Sequence, residues 1–327
     1  MYVSSSTTGV TDFAAGGDIS LAHSSGYGIT DSAGLLAPGT TTPSIRDVSS
    51  GGGIIGSYKV SGLPANQGLS FSGFFDYQRD NVSLGTIAGL AAASAGSGQT
   101  DTYTFGGSFI YNLGPTYLKG AAAYDFGHGS EALSVDGSTG GYNTQGYSAD
   151  LKLGHVFVLL NTVSSDRPSM PTKAPPKAAG GYIVGLDLSG HLGYSNQQSD
   201  GFTDSSGFTW GTDRTRYGEV GGSAKLFALI PSNGLLWMPY IAGTVDREFG
   251  FSSVLNIPTQ AALVGGDVLS LQEAQTFWGT ELGISVRGQS GLTFGVNGFY
   301  QASTDTNIVG GSAFVKIPFD YFAVAKY

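Results

Sequence analysis

Residues 277–287 read Phe-Trp-Gly-Thr-Glu-Leu-Gly-Ile-Ser-Val-Arg, a stretch in which apolar and polar side chains alternate. In an extended strand, Trp278, Leu282 and Ile284 lie on one face, whereas Glu281 and Arg287 lie on the other. The alternation resumes after a turn at 288–291 and recurs in a third segment at 309–319. Each segment has about the 10 residues that a tilted strand needs to cross a bilayer. The stretch from 274 to 319 therefore predicts a membrane β-barrel.

The composition of the whole chain agrees with this prediction. The 327 residues include 53 glycines, 17 tyrosines and 19 phenylalanines, and only 12% are charged. Glycine allows strongly twisted strands to bend, and aromatic residues gather where a barrel meets the two water–lipid boundaries. No apolar run approaches the roughly 18 residues expected of a membrane-spanning helix. Cysteine is absent, which excludes disulfides and thiolate sites, and the net charge of −9 argues against a nucleic-acid partner.

The alternating pattern predicts an all-β, transmembrane antiparallel β-barrel of about twelve strands. Short links at 63–67, 114–115, 230–235 and 288–291 alternate with long polar links at 79–100, 127–141, 196–216 and 249–273. Outer-membrane barrels place short turns in the periplasm and long loops outside, so we expect both termini in the periplasm. The strands are predicted at 18–29, 51–62, 69–78, 103–113, 118–126, 142–160, 181–195, 217–229, 236–248, 274–287, 292–302 and 309–319.

Two segments stand apart from the predicted barrel, which occupies residues 18–327. Residues 1–17 are rich in Ser, Thr and Gly and are expected to form a flexible lead-in. They lack the pattern of a signal peptide, so export requires a signal already removed. Residues 162–180 are proline-rich and form a periplasmic link, either a stiff exposed connection or, at 165–178, a docking site for a periplasmic partner.

The chain from about 116 to 319 resembles the β-barrel domain of autotransporters, the type V secretion proteins of Gram-negative bacteria. The residues that carry the resemblance are 201–207, 218–226, 236–241, 280–288 and 310–319, taken in their order and spacing. The resemblance implies a twelve-stranded barrel in the bacterial outer membrane, in contact with the lipid bilayer and its lipopolysaccharide and inserted by the outer-membrane assembly machinery. That machinery would recognise a terminal aromatic residue, either Phe319 or Tyr327. Residues 1–50 show neither a passenger domain nor a helical period, so the chain is interpreted as a barrel of this type without a passenger.

Charged side chains in the C-terminal half fall on the face opposite the apolar residues. A basic group on the lipid face would cost about 2–4 kcal/mol near the bilayer midplane, which favours a lumenal position for these charges. Such residues form either a mutually paired network or a lining that sets ion selectivity or holds a polypeptide. The candidate lumen-lining residues are Glu219, Lys225, Asp246, Glu248, Glu281 and Arg287.

No motif in the chain points to catalysis, a cofactor or a metal. The four histidines, His23, His128, His155 and His191, are too scattered for a metal-binding spacing. We therefore expect a non-enzymatic membrane element for transport or structure. The alternatives are a porin-like pore for small solutes and a structural barrel that presents surface loops to a partner.

Overall fold

The computed structural model describes residues 9–24, 29–31, 45–60, 62–84, 96–133, 137–163, 181–207, 209–257, 267–271 and 274–318. Twelve long antiparallel strands dominate these residues, which confirms the predicted all-β barrel. Four short strands, Ile29–Asp31, Phe202–Thr203, Thr209–Trp210 and Asp267–Leu271, lie outside this set. The long strands are β1 (Gly9–Ser24), β2 (Ile45–Lys59), β3 (Gln67–Leu84), β4 (Gly96–Leu113), β5 (Thr116–Leu133), β6 (Thr139–Asn161), β7 (Ile183–Ser199), β8 (Asp213–Ser232), β9 (Leu235–Ile257), β10 (Thr276–Arg287), β11 (Thr293–Ala302) and β12 (Thr306–Pro318).

In the described residues, no helix has the length and apolar character needed to cross a membrane.

Each long strand pairs with its neighbours in the chain, and β1 pairs with β12 from Asp12↔Pro318 to Ser24↔Thr306, which closes the barrel. Closure leaves no free edge among these twelve strands, as a bilayer requires. We call the end where β1 begins and β12 finishes the turn end, because links as short as 114–115 and 233–234 join strands there. The opposite end is the loop end.

The stagger of the ladders sets the width of the barrel. A row of paired residues that starts at Asp213 and passes once around the barrel returns to the same strand at Phe227, 14 residues further along. With a rise of about 3.4 Å per residue and strands about 4.8 Å apart, this stagger gives a tilt of about 40° and a backbone-to-backbone diameter of about 24 Å. The interior is therefore wide enough to hold side chains and water together.

The outer face of the barrel is apolar, whereas the inner face carries charged and polar side chains together with a few phenylalanines such as Phe299 and Phe314. In the described chain the apolar residues that are buried are Leu236, Ala242 and Ala302, whereas buried polar residues include Asn196 and Asp246. Large apolar residues are exposed on the outer face instead, for example Leu282 at 62% and Val245 at 57%. A soluble protein would show the reverse, so the outer face requires an apolar surrounding.

Two belts of outward aromatic residues mark the boundaries of that apolar band. The loop-end belt and the turn-end belt are separated on β6 by the ten residues from Tyr147 to Phe157, about 26 Å along the axis at the 40° tilt. That distance matches the apolar band of about 25 Å in transmembrane barrels. The loop-end belt comprises Tyr103, Phe126, Tyr147, Tyr194, Trp278 and Tyr300, and the turn-end belt comprises Tyr58, Phe71, Phe157, Tyr182, Trp237 and Phe294.

The strands continue beyond the loop-end belt, and this corrects the predicted loops. The predicted 127–141 link shrinks to 134–138, and β3 and β4 extend to Leu84 and from Gly96 into the predicted 79–100 link. Past the belt the outward face also meets water, as the exposed pair Arg79–Asp101 shows. Polar residues on both faces remove the alternation on which the prediction depended.

The first strand also differs from the prediction. It begins at Gly9 and ends at Ser24, not 18–29, so residues 9–17 belong to the barrel and not to a flexible lead-in. A register shift between Val10 and Asp12 interrupts the alternation at the start of the strand, and residues 14–17, Ala-Ala-Gly-Gly, offer little contrast between apolar and polar side chains. Residues 164–180, which contain the proline-rich link, lie outside the described residues, as do Phe319 and Tyr327.

Candidate functional site

The six lumen-lining candidates lie on β8, β9 and β10, with side chains on the inner face of the wall. Their chain neighbours Val220, Val245 and Leu282 are among the most exposed apolar residues of the outer face, so strand alternation directs the charged residues inward. The structure brings five of the six into contacts described below, and Arg287 lies at the turn end of β10. That these residues line a transport path stays a prediction.

Glu281 is held by a hydrogen-bond network on the lumenal wall. The Tyr240 hydroxyl and the Asn297 side-chain amide both donate to its Oε1, the latter at 2.6 Å. Lys225 Nζ lies 3.5 Å from the centroid of the Tyr240 ring, a cation–π contact. These contacts fix the position of one negative and one positive charge in the lumen.

A second cluster joins three neighbouring strands. His191 of β7 has its Nε2 atom 2.7 Å from Oε1 of Glu219 on β8 and 3.5 Å from Oδ1 of Asp246 on β9. Gly221 of β8 pairs with both His191 and Asp246, so no side chain stands between them. Glu248, beside this cluster, accepts a hydrogen bond from the backbone N–H of Gln275 at 3.1 Å.

Basic residues occupy the wall nearer the turn end. Lys119 and Lys152 are direct partners on β5 and β6, and Lys225 faces Asp187 across β7 and β8. The Tyr117 hydroxyl donates to Asp187 Oδ1 at 3.0 Å. Like charges directly opposite each other are unfavourable in a sheet, and the neighbouring Asp187 carboxylate offsets part of that repulsion.

The two signs of charge are therefore separated along the barrel axis. A row of paired residues descends towards the turn end by 14 residues as it crosses the twelve strands. When the position of each residue along the axis is corrected for this descent, the acidic residues lie nearer the loop end than the basic ones. Near the middle, Glu281 marks the boundary. The acidic loop half contains Asp18, Asp47, Asp76, Asp80, Asp125, Asp150, Glu219, Asp246 and Glu248, and the basic turn half contains Lys59, Lys119, Lys152, Lys225, Arg287 and Lys316 with Asp12 and Asp187.

A cavity of about 570 Å³ opens within the acidic half, with Asp47, Asp80, Asp125 and Tyr142 in its lining. Low-dielectric walls that carry one sign of charge concentrate the field and raise the local concentration of the opposite ion. This arrangement favours cations at the loop end. The basic half beyond it favours anions or acidic groups.

Sequence reasoning missed several lumenal residues, chiefly His191, Lys119, Lys152 and the acids of β1 to β5. His191 lies within the strand predicted at 181–195, and Lys152 within the one at 142–160, so alternation already placed both on the polar face. The sequence signal was present. The alternation did not reveal the register between strands, which brings His191 beside Glu219 and Asp246.

Comparison with known proteins gives a likeness in fold. No family model matches the chain, and no curated protein matches it. Among solved structures, the transport unit of the autotransporter AIDA-I from Escherichia coli aligns with a TM-score of 0.62 at 14% identity, over 97% of this chain and 92% of that one. The translocator domain of autotransporter NalP from Neisseria meningitidis gives 0.53 at 16% identity, over 96% and 90%. The β domain of the Bordetella autotransporter BrkA gives 0.55 at 14% identity, over 92% and 98%. The resemblance seen in the sequence is thus confirmed at the level of fold.

Proposed function

We propose that this protein is an outer-membrane barrel of the autotransporter type whose lumen provides a hydrophilic path across the bilayer. The observation that carries the proposal is the axial separation of charge inside a closed barrel about 24 Å across. A purely structural barrel needs an apolar outside but does not need its lumenal acids gathered in one half and its bases in the other. The fold of the transport unit and translocator domain named above supports the same role.

We propose an orientation in the membrane from the two ends of the barrel. The long strands project past the loop-end belt into water, and we place that end outside the cell, with the turn end in the periplasm. The acidic half then forms the outer mouth. Hydrophilic cations would enter from outside, and the basic half would pass or hold acidic groups on the periplasmic side.

Single-channel recording tests this proposal directly. The refolded chain is inserted into a planar lipid bilayer under a salt gradient, and the reversal potential gives the ion preference. We expect stable conductance steps with a preference for cations. A barrel that folds and inserts but stays silent would overturn the proposed path and leave the structural role.

A matched pair of variants identifies the lining. The double variant Asp76→Asn with Asp125→Asn removes two lumenal charges, whereas Asp101→Asn removes one from the outer face near the loop-end belt. We expect a weaker cation preference in the double variant and none of this change in the control. Equal effects of both would show that surface charge, and not the lumen, sets the preference.

Passage of a polypeptide is the second candidate, favoured by the likeness to translocator barrels. It predicts that an epitope fused before Gly9 becomes accessible to external protease in intact cells. An epitope that stays protected while the barrel reaches the outer membrane would leave only the small-solute pore.

The partners remain proposals. The two aromatic belts suit contact with the lipid bilayer and, at the loop end, with lipopolysaccharide. The assembly machinery would recognise the terminal aromatic residue, and residues 165–178 would dock a periplasmic partner; these positions lie outside the described residues. We propose no enzymatic role for the chain.

A further inference from the structure

We propose that His191, Glu219 and Asp246 form a binding site for a divalent transition-metal ion on the lumenal wall. Each residue comes from a different neighbouring strand, and one ligand atom from each lies within 4.8 Å of the others. Two ligands about 2.1 Å from a tetrahedral ion stand about 3.4 Å apart. The distances from His191 Nε2 to the two carboxylates, 2.7 and 3.5 Å, bracket that value.

Asp246 supplies a second, independent observation. It retains 9% of its surface exposed, and its Oδ1 atom is shielded from solvent and accepts no hydrogen bond from any described residue. A shielded carboxylate oxygen without a hydrogen bond is unfavourable, and native structures rarely leave one unsatisfied. The same atom faces His191, so a cation between them would satisfy it.

Gly221 keeps the centre of the cluster open. A Cβ atom at this position would clash with Asp246 Oδ1 and with His191 Cε1. Any other residue at 221 would therefore push the two ligands apart.

The surrounding charges favour a dication. Glu219 lies directly opposite Glu248 across β8 and β9, a like-charge pair that a sheet disfavours. Lys152 on β6 lies directly opposite His191 and supplies one positive charge beside the cluster, and its Nζ atom donates to Ser223 Oγ at 3.4 Å. Two positive charges at the cluster would balance the excess of carboxylates there.

The donor set indicates the class of metal. One imidazole nitrogen with two carboxylate oxygens suits Zn²⁺ or a neighbouring first-row ion, whereas Ca²⁺ and Mg²⁺ prefer oxygen ligands alone. The lumenal side remains open to water, which would complete the coordination. In the absence of metal, the short contact between His191 and Glu219 is an ordinary charged hydrogen bond, and the experiment must separate these two cases.

Direct binding of Zn²⁺ provides the test. The untagged chain is refolded in detergent, stripped with EDTA, and titrated with zinc chloride in a calorimeter, with metal content measured after gel filtration. The variants are His191→Gln and Asp246→Asn; the matched control is His128→Gln, because His128 lies on the outer face of β5, bonded to Asn143. Resistance to SDS at room temperature verifies that each variant has folded.

We expect one equivalent of Zn²⁺ in the unaltered chain and the control, and binding about 10-fold or more weaker in both site variants. Zinc should also raise the thermal unfolding midpoint of the unaltered chain and of the His128→Gln control, but not that of the site variants. No stoichiometric binding in the unaltered chain, or equal binding in all four proteins, would overturn the site. If a site variant does not fold, Glu219→Gln replaces it under the same criteria. None of these outcomes depends on whether the barrel conducts ions.

Discussion

Replacement of Leu282 by arginine tests whether the outer face meets hydrocarbon. Leu282 is 62% exposed and lies four residues from Trp278 of the loop-end belt. It is also four residues from Val286, whose partner across the ladder is Trp237 of the turn-end belt. The side chain is therefore at the midplane, where arginine on a transmembrane barrel costs about 2–4 kcal/mol. At about 3 kcal/mol, the unfolding equilibrium shifts roughly a hundredfold.

The assay is reversible urea unfolding of the barrel in phospholipid vesicles, followed by tryptophan fluorescence. Val309→Arg is the depth control, because Val309 is also outward but pairs with Tyr300 of the loop-end belt. Near the interface the cost falls to about 0–1 kcal/mol. Equal costs for the two variants, or no cost for Leu282→Arg, would refute the placement of the bilayer between the two belts.

Two further substitutions probe the wall itself. Gly51→Ala should lower the free energy of unfolding by about 1–3 kcal/mol, because its Cβ would clash with the backbone carbonyl of Tyr77. Gly73→Ala should be nearly neutral, because a Cβ there would meet only the Gly106 carbonyl oxygen, at 4.0 Å; urea unfolding of both variants checks this. Asp47 lies in the lumen on the water side of the loop-end belt, where burial and then the nearby Asp80 raise its pKa to about 6 from 3.8. The folded barrel therefore loses stability as pH rises through 6. The Asp47→Asn variant should be more stable than the unaltered chain by about 1 kcal/mol at pH 8, a value discounted for partial exposure, but no more stable at pH 3.5. Unfolding curves of both proteins across this pH range that show a constant difference in stability would contradict the prediction.

How far the sequence predicts the fold depends on what each face of a strand touches. On β10 and β11 one face meets lipid and the other the lumen, so the alternation from Trp278 to Tyr300 is strong and the predicted strands agree with the observed bounds to within a few residues. Beyond the loop-end belt both faces meet water, and the ends of β3 and β4 could not be recognised. At β1 the register shift after Val10 and the small residues at 14–17 left little alternation from which to predict the start of the strand.

The candidate site shows the same division. Alternation placed Glu219, Asp246 and Glu281 on the polar face, because a charge in lipid is costly whatever the neighbouring strand. It did not show that His191 reaches Glu219, that Tyr240 and Asn297 hold Glu281, or that Lys119 faces Lys152.

Local alternation was enough to predict that the chain crosses a membrane in about twelve strands and, for most of them, which side faces the lumen. These properties are local, because each depends on the solvent that a side chain meets. The stagger of 14 residues became visible only in the folded barrel, as did the separation of acidic from basic residues along the axis and the meeting of three strands at His191, Glu219 and Asp246. Such properties depend on pairing between strands distant in the chain, for which a one-residue change of register would move every side chain to the opposite face.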